Sequence, residues 1–150
     1  MTNDITYKES NTATTVVYER FRKEDYARLL SDRDRYKDGQ RLLDYLCDKY
    51  SIPRVRLQVI SRPQPNRRQG GRLKMKTFGD YNRASQTIRI FNLTAVKQQV
   101  VSIKVFAETL LHEFMHHYDI NYLKLSDTPH TKGFYMRISD LQRKLSENPS

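Results

Sequence analysis

The sequence predicts an α+β domain in which a helical region is followed by a small, mainly antiparallel three-stranded sheet and then by two helices. Apolar residues recur at helical spacing in 23–50 and again beyond Thr94, whereas apolar and polar residues alternate in parts of 54–93. Segments that contain proline or glycine separate these stretches. With 150 residues, the chain is long enough to bury the core of one domain.

Residues 1–17 are rich in Thr, Asn and Ser and follow neither period. We therefore expect a flexible arm there and a single domain over 18–150. The arm has no apolar stretch typical of a signal peptide, and no segment reaches the roughly 18 apolar residues that span a membrane. We expect a monomer that is not secreted, contacts no membrane and resides in the cytoplasm, or in the nucleoid or nucleus if it associates with DNA.

The first helical region, 23–50, is interrupted near Gly39 and ends before Pro53, so it forms one long helix or two short ones. The next part of the chain alternates apolar and polar residues, which indicates half-buried strands. A turn-rich connection at 62–71 and a turn at 79–84 separate the strands. The predicted strands are 54–60, 72–78 and 86–93.

Two helices complete the domain. The first begins beyond Thr94 and has an apolar face that includes Phe106, Leu110 and Phe114. The second covers about 133–145, with apolar residues at spacings of three and four.

The first of these two helices contains the sequence His-Glu-x-x-His. His112 and His116 are four residues apart, so their imidazoles lie on one face of the helix and both can reach one metal ion. Glu113, next to His112, lies close to the same metal position and can hold a metal-bound water as its general base. The spacing predicts a zinc site with two ligands and a base on one turn of helix.

A catalytic zinc ion normally takes three protein ligands and leaves the fourth position open. His130, fourteen residues after His116, lies just before the last helix, where a turn can bring it back over the metal. Asp119 and Asp127 are the carboxylate alternatives. Imidazole is a good donor to zinc, so we favour His130 and keep both acids open.

The segments LLHEFMHHYD and PHTKGFYMRISDL resemble the SprT-like zinc metallopeptidases. The resemblance implies a zincin-like fold, peptide hydrolysis, His112, His116 and His130 as zinc ligands, and Glu113 as the base. It also implies an edge strand in the segment 79–81 followed by 87–90, where an extended substrate pairs its backbone. The chain departs from the family where a glycine commonly follows the third histidine, and it is also similar to minimal gluzincins, whose third ligand is a glutamate.

The segment 54–76 carries much of the charge excess of a chain whose formal net charge is +10. It contains many basic residues and no acidic one. By strand alternation, most of its basic side chains share the sheet face away from the core, which predicts a surface for DNA or RNA phosphates. The residues expected at this basic face are Arg54, Arg56, Arg67, Arg68, Arg72, Lys74, Lys76 and Arg89.

The sequence therefore predicts a zinc metalloendopeptidase that acts on protein or peptide substrates, including proteins associated with DNA. Two alternatives stay open. The chain could be a basic nucleic-acid-binding module with a structural or vestigial zinc site, or a latent protease whose cleft is covered by its own arm or by the 62–71 loop.

Overall fold

The computed structural model describes residues 4–63, 67–69, 72–75, 78–95 and 97–147. These residues form an α+β structure, and no helix among them is both long and apolar enough to cross a membrane. The helices are α1 (Asp4–Thr12), α2 (Glu24–Leu30), α3 (Arg35–Tyr50), α4 (Ile103–Asn121) and α5 (Lys132–Ser146). The strands are β1 (Arg56–Ile60), β2 (Arg67–Gln69), β3 (Arg72–Met75), β4 (Gly79–Asn82) and β5 (Thr87–Phe91).

The main sheet has three strands in the order β1-β5-β4. Strand β5 pairs in parallel with β1 and antiparallel with β4, so the sheet is mixed and the expectation of a mainly antiparallel sheet is wrong. Alternation identifies a strand but not its neighbour. Here the chain inserts β2, β3 and β4 between β1 and β5, and this long connection allows the parallel pairing.

The second predicted strand does not join this sheet. Residues 72–75 form β3, which pairs antiparallel with β2 in a separate two-stranded sheet, and β2 lies in the segment expected to be an irregular connection. The third position of the main sheet is taken by β4, where the sequence predicts a turn over 79–84. Residues 64–66, 70–71 and 76–77 lie outside the described part of the chain.

The first helical region consists of two helices, and the break lies at 31–34 instead of at Gly39. Asp32 has a positive φ of 57°, and Asp34 begins α3 by accepting a hydrogen bond from the backbone N–H of Lys37 at 2.9 Å. Gly39 lies within α3 and is buried, and a Cβ there would lie 2.8 Å from Cδ2 of Leu57. The glycine therefore permits close packing of α3 on β1 and does not end the helix.

One hydrophobic core joins the helices to the inner face of the main sheet. The strands contribute Leu57, Ile88 and Ile90, each at most 1% exposed. Apolar residues of α3, α4 and α5 pack against them, and they include Leu42, Leu43, Leu46, Phe106, Leu110, Phe114 and Leu141. The core fixes α4 against the sheet, and α4 carries the His-Glu-x-x-His sequence.

The segment expected to be a flexible arm contains helix α1 at residues 4–12, and Val16 is 3% exposed in the core. Helix α1 packs on α5 through hydrogen bonds: Ser10 Oγ lies 2.9 Å from Thr131 Oγ1, and Asn11 Oδ1 accepts from the backbone N–H of Gly133 at 3.1 Å. Docking through polar groups leaves no apolar period in the sequence, so the pattern could not indicate it.

Candidate metal centre

Helix α4 places His112, Glu113 and His116 side by side. The helix begins at Ser102, whose hydroxyl accepts a hydrogen bond from the backbone N–H of Val105 at 3.2 Å. Its buried face prevents it from rotating, since the neighbouring residues Leu110, Leu111, Phe114 and Met115 are all 0% exposed. The two imidazoles of the motif face the same cleft, with ring centroids 5.2 Å apart.

The connection between α4 and α5 brings His130 to the same place. The candidate donor nitrogens of His112, His116 and His130 all lie within 4.8 Å of one another, and Nε2 of His116 and Nε2 of His130 are 3.0 Å apart. Two nitrogens bound to one tetrahedral zinc ion at about 2.0–2.1 Å lie roughly 3.3 Å apart, so small side-chain adjustments give a ligand set. The three histidines form a candidate metal-binding cluster.

The ring of Phe134 packs against all three imidazoles of the cluster. Its ring stacks on His116 with a centroid distance of 4.7 Å, and its centroid lies 5.1 Å from that of His112 and 5.2 Å from that of His130. Phe134 is 0% exposed. The sequence places it on the apolar face of the last helix, but only the structure shows that this face meets the three imidazoles.

Burial keeps the imidazoles neutral near pH 7. It lowers the pKa of His112 to about 4 and that of His116 to about 3, with smaller contributions from neighbouring histidines. It also lowers the pKa of His130. Metals bind the neutral form of histidine, so the metal-free protein presents lone pairs without first losing protons.

Glu113 lies between the cluster and strand β4. It is 7% exposed, and a Cβ at Gly79 of β4 would lie in ordinary contact with Cγ of Glu113, at 3.5 Å. Burial, helped by the charge of Asp80, raises the pKa of Glu113 to about 8 in the metal-free protein. The structure therefore places a buried carboxyl group beside the three imidazoles.

Asp119, one alternative third ligand, points away from the cluster into the interior. It is 0% exposed and forms a buried ion pair with Arg137, with Oδ2 and Nη2 2.8 Å apart. The same Oδ2 accepts a hydrogen bond from the Thr128 hydroxyl at 3.0 Å, and Thr128 Oγ1 lies 2.8 Å from Nδ1 of His116. Sequence reasoning missed Thr128 and Arg137, because nothing local links them to the motif. Asp127, the other alternative, lines the cleft.

Hydrogen bonds of His117 connect α4 to strand β4 and to the segment before β1. Its Nε2 donates to the backbone carbonyl of Pro53 at 2.6 Å, and its Nδ1 accepts from the Tyr81 hydroxyl at 2.7 Å. The ring is 0% exposed, and His117 is not one of the three histidines of the candidate metal-binding cluster. Of the two tyrosines near the motif, Tyr118 is buried in the core, and Tyr135 is 47% exposed with its ring 5.8 Å from that of His130.

The cluster opens into a cleft of about 350 Å³. One wall is β4, which lies at the edge of the main sheet because the strand order is β1-β5-β4. The lining residues are Gly79, Asp80, Tyr81, Arg83, His112, Glu113, His116, Asp127, Thr128 and His130.

The basic residues of 54–89 do not all present free charge. Arg54 pairs with Asp48 of α3 at 2.7 Å, and Arg89 pairs with Asp80 across the β4–β5 ladder. Arg56 is exposed and lines a second cleft with Arg89, as strand alternation predicts. Among the other expected residues, Arg67, Arg68, Arg72 and Lys74 lie on β2 and β3, and Lys76 lies outside the described residues.

We compared the chain with models of known protein families, with curated protein sequences and with solved structures, and none of the three comparisons finds a match.

Proposed function

We propose that this protein is a zinc-dependent metalloendopeptidase of the SprT-like type. The observation that carries the proposal is the convergence of three neutral imidazoles and one buried carboxyl group in an open cleft. Two of these imidazoles and the carboxyl group come from one helix turn, and His130 comes from a separate segment. A set of three nitrogen donors with an open fourth position is typical of catalytic zinc sites.

The donors favour zinc over harder cations. Imidazole nitrogen suits zinc, whereas magnesium and calcium prefer oxygen ligands. Zinc bound by His112, His116 and His130 would polarise a substrate carbonyl and lower the pKa of a water molecule.

Glu113 is the proposed general base. Its carboxylate takes the proton from the attacking water and then delivers it to the amine that leaves when the peptide bond breaks. The burial of Glu113 supports this role, because a pKa raised toward neutrality makes a carboxylate a more effective base at neutral pH. A bound cation would draw this pKa down again, so the enzyme would be active with the carboxylate ionised.

The substrate would bind as an extended strand. Within the described part of the chain, strand β4 pairs only with β5 in the main sheet, and its residues 79–81 line the cleft. A peptide that pairs with this edge would place a carbonyl beside the histidine cluster. The latent-protease alternative loses support at the N-terminus. Among the described residues, α1 contacts α5 and the connection before it, and the described lining of the cleft includes no residue of α1.

The decisive experiment combines elemental analysis with peptide hydrolysis. The parent should contain about one zinc ion per chain, and Glu113→Gln should keep the zinc and the fold while hydrolysis is abolished. His130→Ala should lose zinc, whereas Asp127→Asn, the matched change at the alternative ligand, should retain it. A parent without zinc, or a Glu113→Gln variant that cleaves as fast as the parent, would refute the proposal.

A further inference from the structure

A chain of hydrogen bonds runs from the histidine cluster into the interior of the protein. Nδ1 of His116 lies 2.8 Å from the hydroxyl oxygen of Thr128, and that hydroxyl donates to Oδ2 of Asp119 at 3.0 Å. Asp119 also accepts from Arg137 Nη2 at 2.8 Å. The other nitrogen of this guanidinium, Nη1, donates to the backbone carbonyls of Ser10 and Ala13, so the chain ends at α1 and the residue that follows it.

The chemistry of the partners determines the direction of every bond. A carboxylate next to an arginine is an acceptor only, so the single proton of the Thr128 hydroxyl goes to Asp119. That hydroxyl oxygen then has only lone pairs to offer to the imidazole. His116 must therefore carry its proton on Nδ1 and donate it to Thr128.

The proton on Nδ1 leaves Nε2 of His116 with a lone pair directed into the cluster. This agrees with the 3.0 Å contact between Nε2 of His116 and Nε2 of His130, in which His130 is then the donor in the metal-free protein. His116 is thus held ready for metal coordination by the hydrogen bond on the opposite side of its ring.

We propose that Thr128 is a positioning residue that, together with Asp119, selects the Nδ1–H tautomer of His116 and so raises the affinity of the histidine cluster for zinc. The proposal concerns how the ligand is held and rests on the metal centre proposed above. In this role Thr128 is not a ligand of the metal and acts through its hydrogen bond with His116.

The test uses Thr128→Val, which keeps the shape of the side chain and removes the hydroxyl. In the metal-free parent, long-range ¹⁵N–¹H NMR spectra of the histidine rings should show His116 as the Nδ1–H tautomer. In Thr128→Val this preference should disappear. Zinc affinity, measured by competition with a chelator, should weaken about 10- to 100-fold, the range typical for removal of an outer-shell partner.

Two further variants separate positioning from general damage. Thr128→Ser restores a hydroxyl and should recover both the tautomer and the zinc affinity. Thr109→Val removes a hydroxyl that donates to the backbone carbonyl of Val105 on α4 and not to an imidazole, and should change neither. Circular dichroism should show that all three variants are folded.

Two outcomes would overturn the proposal: an Nε2–H tautomer of His116 in the parent, or unchanged tautomer and zinc affinity in Thr128→Val. The NMR measurement uses metal-free protein, so it decides whether Thr128 selects the tautomer of His116 even if the parent binds no zinc. Failure of the metalloendopeptidase proposal is therefore distinguishable from failure of the positioning role.

Discussion

Replacement of Gly133 by alanine should displace helix α1 from α5. Gly133 lies in the first turn of α5, directly against the end of α1. A Cβ at this position would lie 2.5 Å from the backbone carbonyl oxygens of both Ser10 and Asn11, whereas ordinary van der Waals contact begins at 3.4 Å. Because the opposing atoms belong to the backbone, no side-chain rotation relieves the clash, and α1 must retreat by about 0.9 Å.

That retreat breaks specific interactions. The bond from Gly133 N–H to Asn11 Oδ1 and the bond between Ser10 and Thr131 become too long, and the bonds of Arg137 to the end of α1 weaken. At about 0.5–1.5 kcal/mol for each neutral bond and more for the charged one, the destabilisation is roughly 2–4 kcal/mol. Alanine offsets up to about 1 kcal/mol through its better helix propensity. The free energy of unfolding should therefore decrease by about 1–3 kcal/mol, within the usual range for overpacking.

Urea denaturation and thermal melting measure this change directly. For a chain of this length, a decrease of about 2 kcal/mol corresponds to a decrease in Tm of roughly 4–8 °C. Hydrogen exchange should accelerate most at the amides of α1, since the clash is confined to the place where it meets α5.

Gly39→Ala is the matched control. Its added Cβ also meets a neighbour at 2.8 Å, but that neighbour is Cδ2 of Leu57, the end of a side chain. Leu57 can adjust, and a glycine in the middle of a helix gains about 0.5–1 kcal/mol on replacement by alanine, so the stability should stay within about 1 kcal/mol of the parent. If Gly133→Ala is as stable as Gly39→Ala and α1 exchanges at the parental rate, the inferred backbone clash does not exist.

Three further predictions concern acid stability, His117 and the basic face. Histidines of the unfolded chain bind protons near pH 6.5, whereas in the folded metal-free protein His112 does so only near pH 4 and His116 only near pH 3. The unfolded state therefore binds more protons between these values, and the stability in urea should fall as the pH decreases from about 6.5 to about 4. A His112→Gln/His116→Gln variant should show a shallower dependence. His117→Leu should retain zinc but be about 2–4 kcal/mol less stable in urea denaturation, because the Tyr81 hydroxyl and the Pro53 carbonyl lose their hydrogen bonds to the imidazole. A zinc-free variant would show that this ring belongs to the metal centre. If the basic segment binds phosphates, glutamine substitutions there should weaken DNA binding at low salt. The slope of the logarithm of the binding constant against the logarithm of the salt concentration should become shallower by about 0.9 for each phosphate that is no longer neutralised. Equal binding by parent and variant would contradict a nucleic-acid role. The substitutions are Arg56→Gln, Arg62→Gln, Arg68→Gln and Lys74→Gln, with exposed Arg28→Gln on α2 as the control.

The strands show how far sequence patterns reach. Alternation correctly places Leu57, Ile88 and Ile90 on the core side of the main sheet. It fails for 72–75, because Leu73 and Met75 alternate with basic residues in the same way whether the strand joins the main sheet or pairs with β2. Alternation misses strand β4 because its four residues, Gly79–Asn82, are too few for a period and two of them favour turns. Only the family resemblance implies an edge strand that includes 79–81.

In the candidate site too, the sequence predicts the positions of residues on one helix, and the tertiary structure decides the positions of the others. His112, Glu113 and His116 are neighbours on one helix, so the period of 3.6 residues per turn determines their relative positions from the sequence alone. The chemistry of imidazole favours His130 over two aspartates, but the return of its segment to α4 depends on how the connection before α5 folds. Phe134, which lies beneath all three rings, and Thr128, which contacts His116, have no local signal.

By itself, the sequence determined the helix that carries the motif, its apolar face and the presence of an α+β domain, because each of these follows from periodicity within a few turns or strands. Only the tertiary structure decided the partners of the strands, the docking of α1 and the hydrogen bonds from Arg137 through Asp119 and Thr128 to the histidine cluster. The physical reason is that these features depend on contacts between residues far apart in the chain, such as Ser10 and Arg137. Polar pairs of this kind form only when the core has already brought their backbones together, and they leave no repeating pattern in the sequence.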